Sequence, residues 1–165
     1  NAENKVFYYT SDIDPPLISR KVELVDNVIP GSNSAMAKTL YDLSLLLYNE
    51  TYKSIAKGML QQMQNQLLEE NTVSYYANWW QLYFSMSESP FEIAIVGKDY
   101  QSLKKQFHKQ YLPNALFLGG PTEGGLTLLQ NKLQAGETYI YVCKDKLCKL
   151  PVQNVAAALQ QMGKN

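Results

Sequence analysis

Apolar residues recur at helical spacing along three stretches in the first half of the chain. These stretches are residues 35–49, 52–70 and 73–87. In the first of them, Leu40, Leu43 and Leu47 fall on one helical face, which predicts a helix that is buried along that side. The connections at 49–51 and 71–72 are short, and short connections favour antiparallel packing of neighbouring helices. The pattern therefore predicts a segment built from helical hairpins.

The second half changes to alternating strand and helix patterns. The predicted strands are 91–97, 114–120 and 137–144, and the predicted helices are 98–112 and 151–162. Strands that alternate with helices are typical of a parallel sheet with right-handed crossovers. We therefore predict a small, mostly parallel three-stranded unit with strand order 2-1-3. The predicted fold class is α+β or α/β, with a helical segment at 1–89 and a small α/β unit at 90–165.

The charge and hydropathy of the chain argue against two classes of partner, nucleic acids and membranes. The 165 residues include fifteen basic and fifteen acidic side chains, and 45% of them are hydrophobic, which is enough for one core or two small ones. Because no basic block stands out, no nucleic-acid partner is predicted. No apolar run reaches the ~18 residues that a membrane-spanning helix needs, so no membrane partner is predicted. No sequence motif points to a cofactor.

The only two cysteines, Cys143 and Cys148, lie in the stretch YVCKDKLCKLPV. A fully extended chain would separate them by ~16 Å, whereas a disulfide needs their Cα atoms within ~7 Å, so a bridge requires a turn between them. Three neighbouring lysines favour the thiolate form, but the spacing is not the C-x-x-C of thioredoxin-like redox sites. Buried structural thiols are the favoured interpretation, followed by a disulfide. A metal site ranks last, because zinc needs four ligands and the chain adds only His108.

The corner VELVDNVIPGSNS, residues 22–34, holds a second candidate site. Asp26 is a candidate catalytic or ligand-binding acid, with Asn33 as a further ligand-binding candidate. Glycoside hydrolysis needs two carboxylates at a defined separation, and Glu23 is the only other acid nearby. The alternative is that Asp26 orders the turn and Asn33 caps the following helix, which the usual roles of these residue types near turns favour.

The stretch 73–87 is aromatic on two adjacent stripes. The stripes are Tyr75, Trp79 and Tyr83, and Tyr76, Trp80 and Phe84. Tyr75 and Trp79 are candidates for binding a sugar ring by stacking. Residues at this spacing more commonly pack in a core, and that interpretation is favoured.

Several stretches, in order, resemble one family of large proteins. They are FYYTSDIDPPLISRKVELVDNVIPGSNSAMAKTLYDLSLLL in the first half, and EIAIVG, YLPNALFL and YVCKDKLCKLPV in the second. The family is that of spermatogenesis-associated protein 20 and its bacterial homologues, which combine a thioredoxin-like domain with a six-hairpin α/α toroid of the glycosidase type. The matching residues in the first half are Arg20, Asp26, Pro30, Asn33 and Ser34. This chain departs from the family pattern in reading PGSNS, not PSGNS, at 30–34.

The resemblance implies that the chain is the C-terminal piece of a longer protein. Residues 1–89 would complete an α/α toroid and residues 90–165 would cap it, so the implied partner is the rest of that polypeptide. Because no complete catalytic constellation can be assembled, we expect a non-catalytic structural or interaction module. Two alternatives stay open: a carbohydrate-active toroid with Asp26 and aromatic side chains in its cavity, and a thiol redox role for Cys143 and Cys148. The compartment is left open by the sequence.

A helical segment taken from a toroid would carry an apolar face that its neighbours normally cover. Large exposed apolar patches are rare on folded monomers. We therefore expect the isolated chain either to self-associate through its helical half or to pack that half onto its α/β half, with self-association favoured.

Overall fold

The chain folds into two compact units. The computed structural model describes residues 5–15, 18–69 and 73–164. The units are Asn1–Ser87, the helical unit, and Glu88–Asn165, the sheet unit. Their boundary lies two residues before the one predicted from the sequence.

The helical unit has four α-helices in the part of the chain that the structure describes. They are α1 (Ser32–Leu47), α2 (Glu50–Gln62), α3 (Gln64–Leu68) and α4 (Ala77–Ser87), with a 3₁₀ turn at Val73–Tyr76 directly before α4. Helix α1 ends at Tyr48, which adopts the left-handed conformation. Asn49 then caps α2 by accepting a hydrogen bond from the N–H of Tyr52. This tight connection lets α1 pack along α2, while α4 packs against both.

The predicted helices are right in position but wrong in detail. The helix predicted at 52–70 breaks at Met63, and the helix predicted at 73–87 begins as a 3₁₀ turn. The predicted connection at 71–72 lies outside the described residues. The buried face of α1 also differs from the predicted leucine stripe, since Ala37, Tyr41 and Ser44 are buried and Leu47 is exposed.

One cluster of buried side chains forms the core of the helical unit. Its members are Ala37, Tyr41, Ala56, Met59, Met63, Leu67, Trp79 and Leu82. The Tyr41 hydroxyl donates to the Ser85 carbonyl at 2.8 Å, so this ring is buried with its polar atom paired. Both α1 and α2 contribute a fully buried alanine to this core, Ala37 and Ala56, so the buried face of α1 is not its most hydrophobic one.

The sheet unit contains a four-stranded sheet flanked by helices. Its elements are β1 (Phe91–Val96), α5 (Tyr100–Phe107), β2 (Ala115–Gly120), a 3₁₀ turn at Thr127–Leu129, β3 (Tyr139–Lys144), β4 (Leu147–Cys148) and α6 (Val155–Gln161). The strand order is β2-β1-β3-β4. Strands β1 and β2 are parallel and are joined by α5, whereas β3 runs antiparallel to β1 and β4 antiparallel to β3.

The predicted mostly parallel, three-stranded sheet is wrong. The sheet is mixed and has a fourth strand, although the general α+β class is right. The reason lies in the connection 121–138. Strand β2 ends at Gly120 beside Val96, and β3 starts at Tyr139 beside the same residue. The chain therefore stays at one end of the sheet between β2 and β3, and it re-enters in the opposite direction.

Aliphatic residues on one face of β1 and β3 form the core of the sheet unit with α5 and α6. The buried cluster is Ile93, Ile95, Leu103, Phe107, Ile140, Val142, Val155, Ala158 and Met162. Two glycines set the close packing around β1. Gly97 has φ 133°, and a Cβ there would meet the Glu137 carbonyl at 2.6 Å. A Cβ on Gly119 would overlap the Ile95 carbonyl oxygen of the neighbouring strand.

Candidate functional site

Asp26, the candidate acid, is buried, and both of its carboxylate oxygens accept hydrogen bonds from its own unit. One carboxylate oxygen accepts hydrogen bonds from the Gly31 N–H at 2.9 Å and the Ser34 hydroxyl at 2.5 Å. The other accepts from the N–H of Asn78 at 2.8 Å, and the Asp26 N–H donates to the Tyr75 carbonyl at 2.7 Å. With 3% of the residue exposed, Asp26 connects the start of α1 to the start of α4. This geometry orders the turn, as the structural interpretation of Asp26 predicted.

Asn33 binds backbone instead of capping a helix. Its side-chain oxygen accepts from the Phe7 N–H at 2.7 Å, and its amide donates to the carbonyls of Phe7 and Glu23 at 3.0 and 2.9 Å. The prediction that Asn33 caps α1 is wrong, because α1 begins earlier. The Asp26 carboxylate binds the N–H of the cap residue Gly31, and the Glu23 carboxylate accepts from the Ser32 N–H at 2.8 Å.

Two partners of Asp26 carry no local sequence signal of that role. Ser34 lies in the first turn of α1, and its hydroxyl donates to the Asp26 carboxylate. The N–H of Asn78 is a backbone group 52 positions away. Only the folded chain brings these donors together.

Tyr75 and Trp79 do not form a shared ligand surface. Trp79 is fully buried, and its indole N–H donates to the Leu24 carbonyl at 2.7 Å. Tyr75 lies in the 3₁₀ turn before α4 and is 55% exposed. Trp79 is therefore a core residue. Tyr75 contacts Asp26 through its backbone carbonyl, which accepts a hydrogen bond from the Asp26 N–H.

Aromatic residues from both predicted stripes form a ring cluster at the surface of α4. Trp80 lies 5.6 Å from Tyr83 and 5.9 Å from Phe84 between ring centroids, and Tyr83 lies 5.7 Å from Phe84. Tyr83 is 46% exposed and Phe84 63% exposed. We call these three residues the α4 aromatic cluster. It presents apolar rings to solvent beside the buried core of the helical unit.

Exposed hydrophobic side chains are distributed unevenly between the two units. Among the described residues, nineteen large hydrophobic side chains are exposed, and fifteen of them belong to the helical unit. The four in the sheet unit are Tyr111, Leu133, Leu147 and Leu150. The apolar surface of this chain is therefore mainly a property of the helical unit.

Cys143 and Cys148 form a disulfide across a β-hairpin. They pair directly between β3 and β4, and Lys144 pairs with Leu147, which leaves Asp145–Lys146 as a two-residue turn. Both turn residues have positive φ, 51° and 67°, as a type I′ turn requires. The favoured expectation of two unpaired structural thiols is wrong, because this turn brings the two Cα atoms to 3.9 Å.

Lysine side chains are held on both strands of this hairpin. The Lys144 ammonium lies 3.6 Å from the Glu88 carboxylate and 5.4 Å from the centre of the Phe91 ring. The Lys149 ammonium donates to the Gln161 carbonyl at the end of α6. The disulfide therefore lies in a positively charged neighbourhood.

Two carboxyl groups have shifted pKa values, in opposite directions. Desolvation raises the pKa of Asp42 on α1, and the nearby Lys38 ammonium offsets part of that rise. In the sheet unit, hydrogen bonds from the backbone, first of all from Leu133, lower the pKa of Glu123. The N–H groups of Lys132 and Leu133 donate to one Glu123 oxygen at 2.6 and 2.7 Å.

Metal-ligating side chains are dispersed in the described ranges. No three His, Cys, Asp or Glu side chains converge there in a way that could hold a metal ion. His108 is exposed, and its ring lies edge-on to Phe117 at 5.9 Å between centroids.

Comparison of the chain with protein-family models, curated proteins and solved structures gives no match. Membership of the family of spermatogenesis-associated protein 20 therefore stays a prediction from resemblance. No helix among the described residues combines the length and the hydropathy needed to cross a membrane.

Proposed function

We propose that this chain is a non-catalytic interaction module that joins a larger helical assembly through its helical unit. The observation that supports this proposal is the concentration of exposed hydrophobic side chains in that unit. The strongest candidate for catalysis, Asp26, is occupied by donors from its own unit. The geometry thus favours contact with other protein surfaces over chemistry at Asp26.

The occupant to which the proposal commits is a set of further helices from an α/α toroid in the same polypeptide. Helices in such assemblies bury apolar faces against antiparallel neighbours. The α4 aromatic cluster is a face of that kind, because its exposed Tyr83 and Phe84 rings extend from a helix that already packs in the core through Trp79 and Leu82. At ~25 cal/mol per Å², covering ~400 Å² of apolar surface contributes ~10 kcal/mol before association costs.

When those helices are absent, the exposed apolar residues of the helical unit can be covered by the same residues of a second copy of the chain. Sedimentation velocity at micromolar concentration should therefore show dimers or larger species in place of an 18.7 kDa monomer. The double variant Tyr83→Ser/Phe84→Ser should shift the distribution toward monomer. Tyr111→Ser is the matched control, since Tyr111 is exposed but lies in the sheet unit.

A clean monomer that binds no hydrophobic dye would contradict the proposal. So would equal effects of the α4 double variant and the Tyr111→Ser control, because the apolar surface of α4 would then have no special role. Turnover of glycosides by the isolated chain, above the rate in buffer, would show that the module is catalytic after all.

A further inference from the structure

The Cys143–Cys148 disulfide exposes its two cysteines very unequally. Cys143 is 1% exposed within β3, whereas Cys148 is exposed on β4, a two-residue strand at the edge of the sheet. Thiol–disulfide exchange starts when a thiolate reaches one of the two sulfur atoms. We propose that this disulfide is an exchange site that accepts an external thiolate at the sulfur of Cys148. This inference is independent of the proposed interaction module.

The charges around the hairpin favour an incoming anion. Lys144, Lys146 and Lys149 lie within or next to the turn, together with Asp145, and Glu88 pairs with Lys144, so three cations face two acids. Cationic side chains near a sulfur atom stabilise a thiolate relative to a thiol. They therefore favour both the approaching thiolate and the thiolate that leaves when the disulfide breaks.

The hairpin turn favours opening once the disulfide is broken. Asp145 and Lys146 both hold left-handed φ values. Residues other than glycine, asparagine and aspartate adopt this conformation rarely, so Lys146 is the disfavoured member of the pair. In addition, the disulfide joins residues only five positions apart, so it closes a short loop. In the chain-entropy account, a short loop gives less stabilisation than a long one. The bond is therefore better suited to local control of the hairpin than to stabilising the whole sheet unit.

Contacts on both sides confine the opening to the hairpin. Ile140 and Val152 exchange two backbone hydrogen bonds, at 2.7 and 3.0 Å. The Gln161 side chain donates to the Leu150 carbonyl at 2.9 Å. Because neither contact involves the cysteines, reduction releases residues 145–149, while Cys143 stays paired with Glu92 within the sheet and α6 stays in place.

The complete reaction consumes two external thiols, which are the reductant. In the first step, a thiolate forms a bond to the Cys148 sulfur, the disulfide breaks, and the Cys143 sulfur leaves as a thiolate that takes a proton from water. In the second step, another thiolate attacks the external sulfur of the mixed disulfide and releases Cys148. The protein disulfide is reduced to two thiols, and two external thiols are oxidised to one disulfide.

Reduced glutathione is a suitable probe. The whole chain is incubated with millimolar glutathione at pH 7.5, quenched with acid at early times, and digested with trypsin, which separates the cysteines by cleaving after Lys144 and Lys146. We expect the glutathione adduct on Cys148 to exceed that on Cys143 at least tenfold. In the reduced chain, Cys148 should react with iodoacetamide at least tenfold faster than Cys143.

Hydrogen exchange then shows whether the opening is local. After reduction, amide protection should fall in residues 145–149 and stay unchanged in β1 and α5. A disulfide that resists glutathione until denaturant is added would overturn the proposal, as would adducts chiefly on Cys143. Loss of protection throughout the sheet unit would also overturn it, because the disulfide would then be a structural crosslink.

Lys146→Gly tests the role of the turn. Glycine adopts the left-handed conformation readily, so this variant should shift the thiol–disulfide equilibrium about fivefold toward the disulfide. Lys146→Gln is the control, since it removes the same charge and keeps a side chain in the left-handed conformation. An equal shift in both variants would mean that charge, and not the turn conformation, governs the equilibrium, which would overturn the conformational part of the proposal.

Discussion

The helical unit and the sheet unit use buried polar groups very differently. Six polar or charged side chains are buried among the described residues, and four belong to the helical unit. They are Asp26, Asn33, Ser34 and Ser44. Two of them, Asn33 and Asp26, bind backbone groups 26 and 52 positions away, whereas the sheet unit is organised by a cluster of apolar side chains on β1, β3 and its two helices. One unit is positioned by hydrogen bonds and keeps an apolar surface, while the other buries its apolar residues efficiently.

This difference shows where each unit is vulnerable. A sheet core tolerates changes at its polar surface but loses much stability when a large buried ring is removed. A helical core positioned by a buried carboxylate depends on that carboxylate, since the donors around it would otherwise lack partners.

Phe107→Ala should destabilise the sheet unit most. Phe107 is almost completely buried and lies 5.2 Å from the Phe117 ring, so its removal leaves a cavity that costs about 4 kcal/mol. Both tryptophans of the chain, Trp79 and Trp80, are in the helical unit. Urea unfolding followed by circular dichroism should therefore show an early transition, while tryptophan fluorescence keeps its wild-type midpoint.

Tyr111→Ala is the control for this variant, because Tyr111 is exposed in the same unit. It should change the free energy of unfolding by less than about 0.5 kcal/mol. An equal shift of fluorescence and circular dichroism in Phe107→Ala would show that the two units unfold as one, and the proposed division would fail.

Asp26→Ala should destabilise the helical unit by about 3 kcal/mol. The substitution leaves the N–H groups of Gly31 and Asn78 without their acceptor and also removes the Ser34 contact. The midpoint of the fluorescence-detected urea transition should fall. Asp14→Ala, an exposed aspartate in the same unit, should leave it in place. A loss below about 1 kcal/mol for Asp26→Ala would mean that water replaces the missing carboxylate.

Lowering the pH should have small, opposite effects on the stability of the two units. It should destabilise the sheet unit through Glu123 and stabilise the helical unit through Asp42. The pKa of Glu123 is lowered in the folded chain, so its contribution to stability is present above the ordinary pKa and is lost as pH falls through the folded value. The pKa of Asp42 is raised, so folding is favoured by its protonated form, and stability falls as pH rises from its ordinary pKa through the raised one.

Two isosteric variants measure these contributions against the wild type. Glu123→Gln should reduce amide protection at Lys132 and Leu133 at pH 7, and the difference from wild type should shrink as the pH is lowered. Asp42→Asn should make the helical unit slightly more stable at pH 7, with a difference that disappears in acid. A decrease in stability for Asp42→Asn at pH 7 would show that attraction to Lys38 outweighs desolvation.

Local patterns predicted the elements better than their arrangement. The apolar runs at 91–97, 114–120 and 137–144 each contain a strand, because a run of β-branched and aromatic residues is a short-range signal. The direction of β3 depends on the path of residues 121–138, which no local pattern records. The β3–β4 hairpin was equally hidden, since its Asp145–Lys146 turn lacks the glycine that usually marks such a turn.

The prediction of the candidate sites from the sequence was limited in the same way, because local patterns carry no information on long-range contacts. Asp26 was recognisable as a notable acid near a turn, but its partner on α4 is known only from the fold. The sequence likewise predicted buried helices without predicting which face of α1 is buried. That face carries Ala37, Tyr41 and Ser44, small or polar residues that hydrophobic periodicity does not single out.

The close contact at Gly119 predicts how this chain can vary during evolution. Any side chain at this position would overlap the Ile95 carbonyl and push β1 and β2 apart, so a deep mutational scan should find it among the least permissive sites. Gly125, in contrast, has open space where a Cβ would be, and it should accept many residues. Homologues should therefore diverge freely along the loop after β2 while keeping glycine at the strand contact itself.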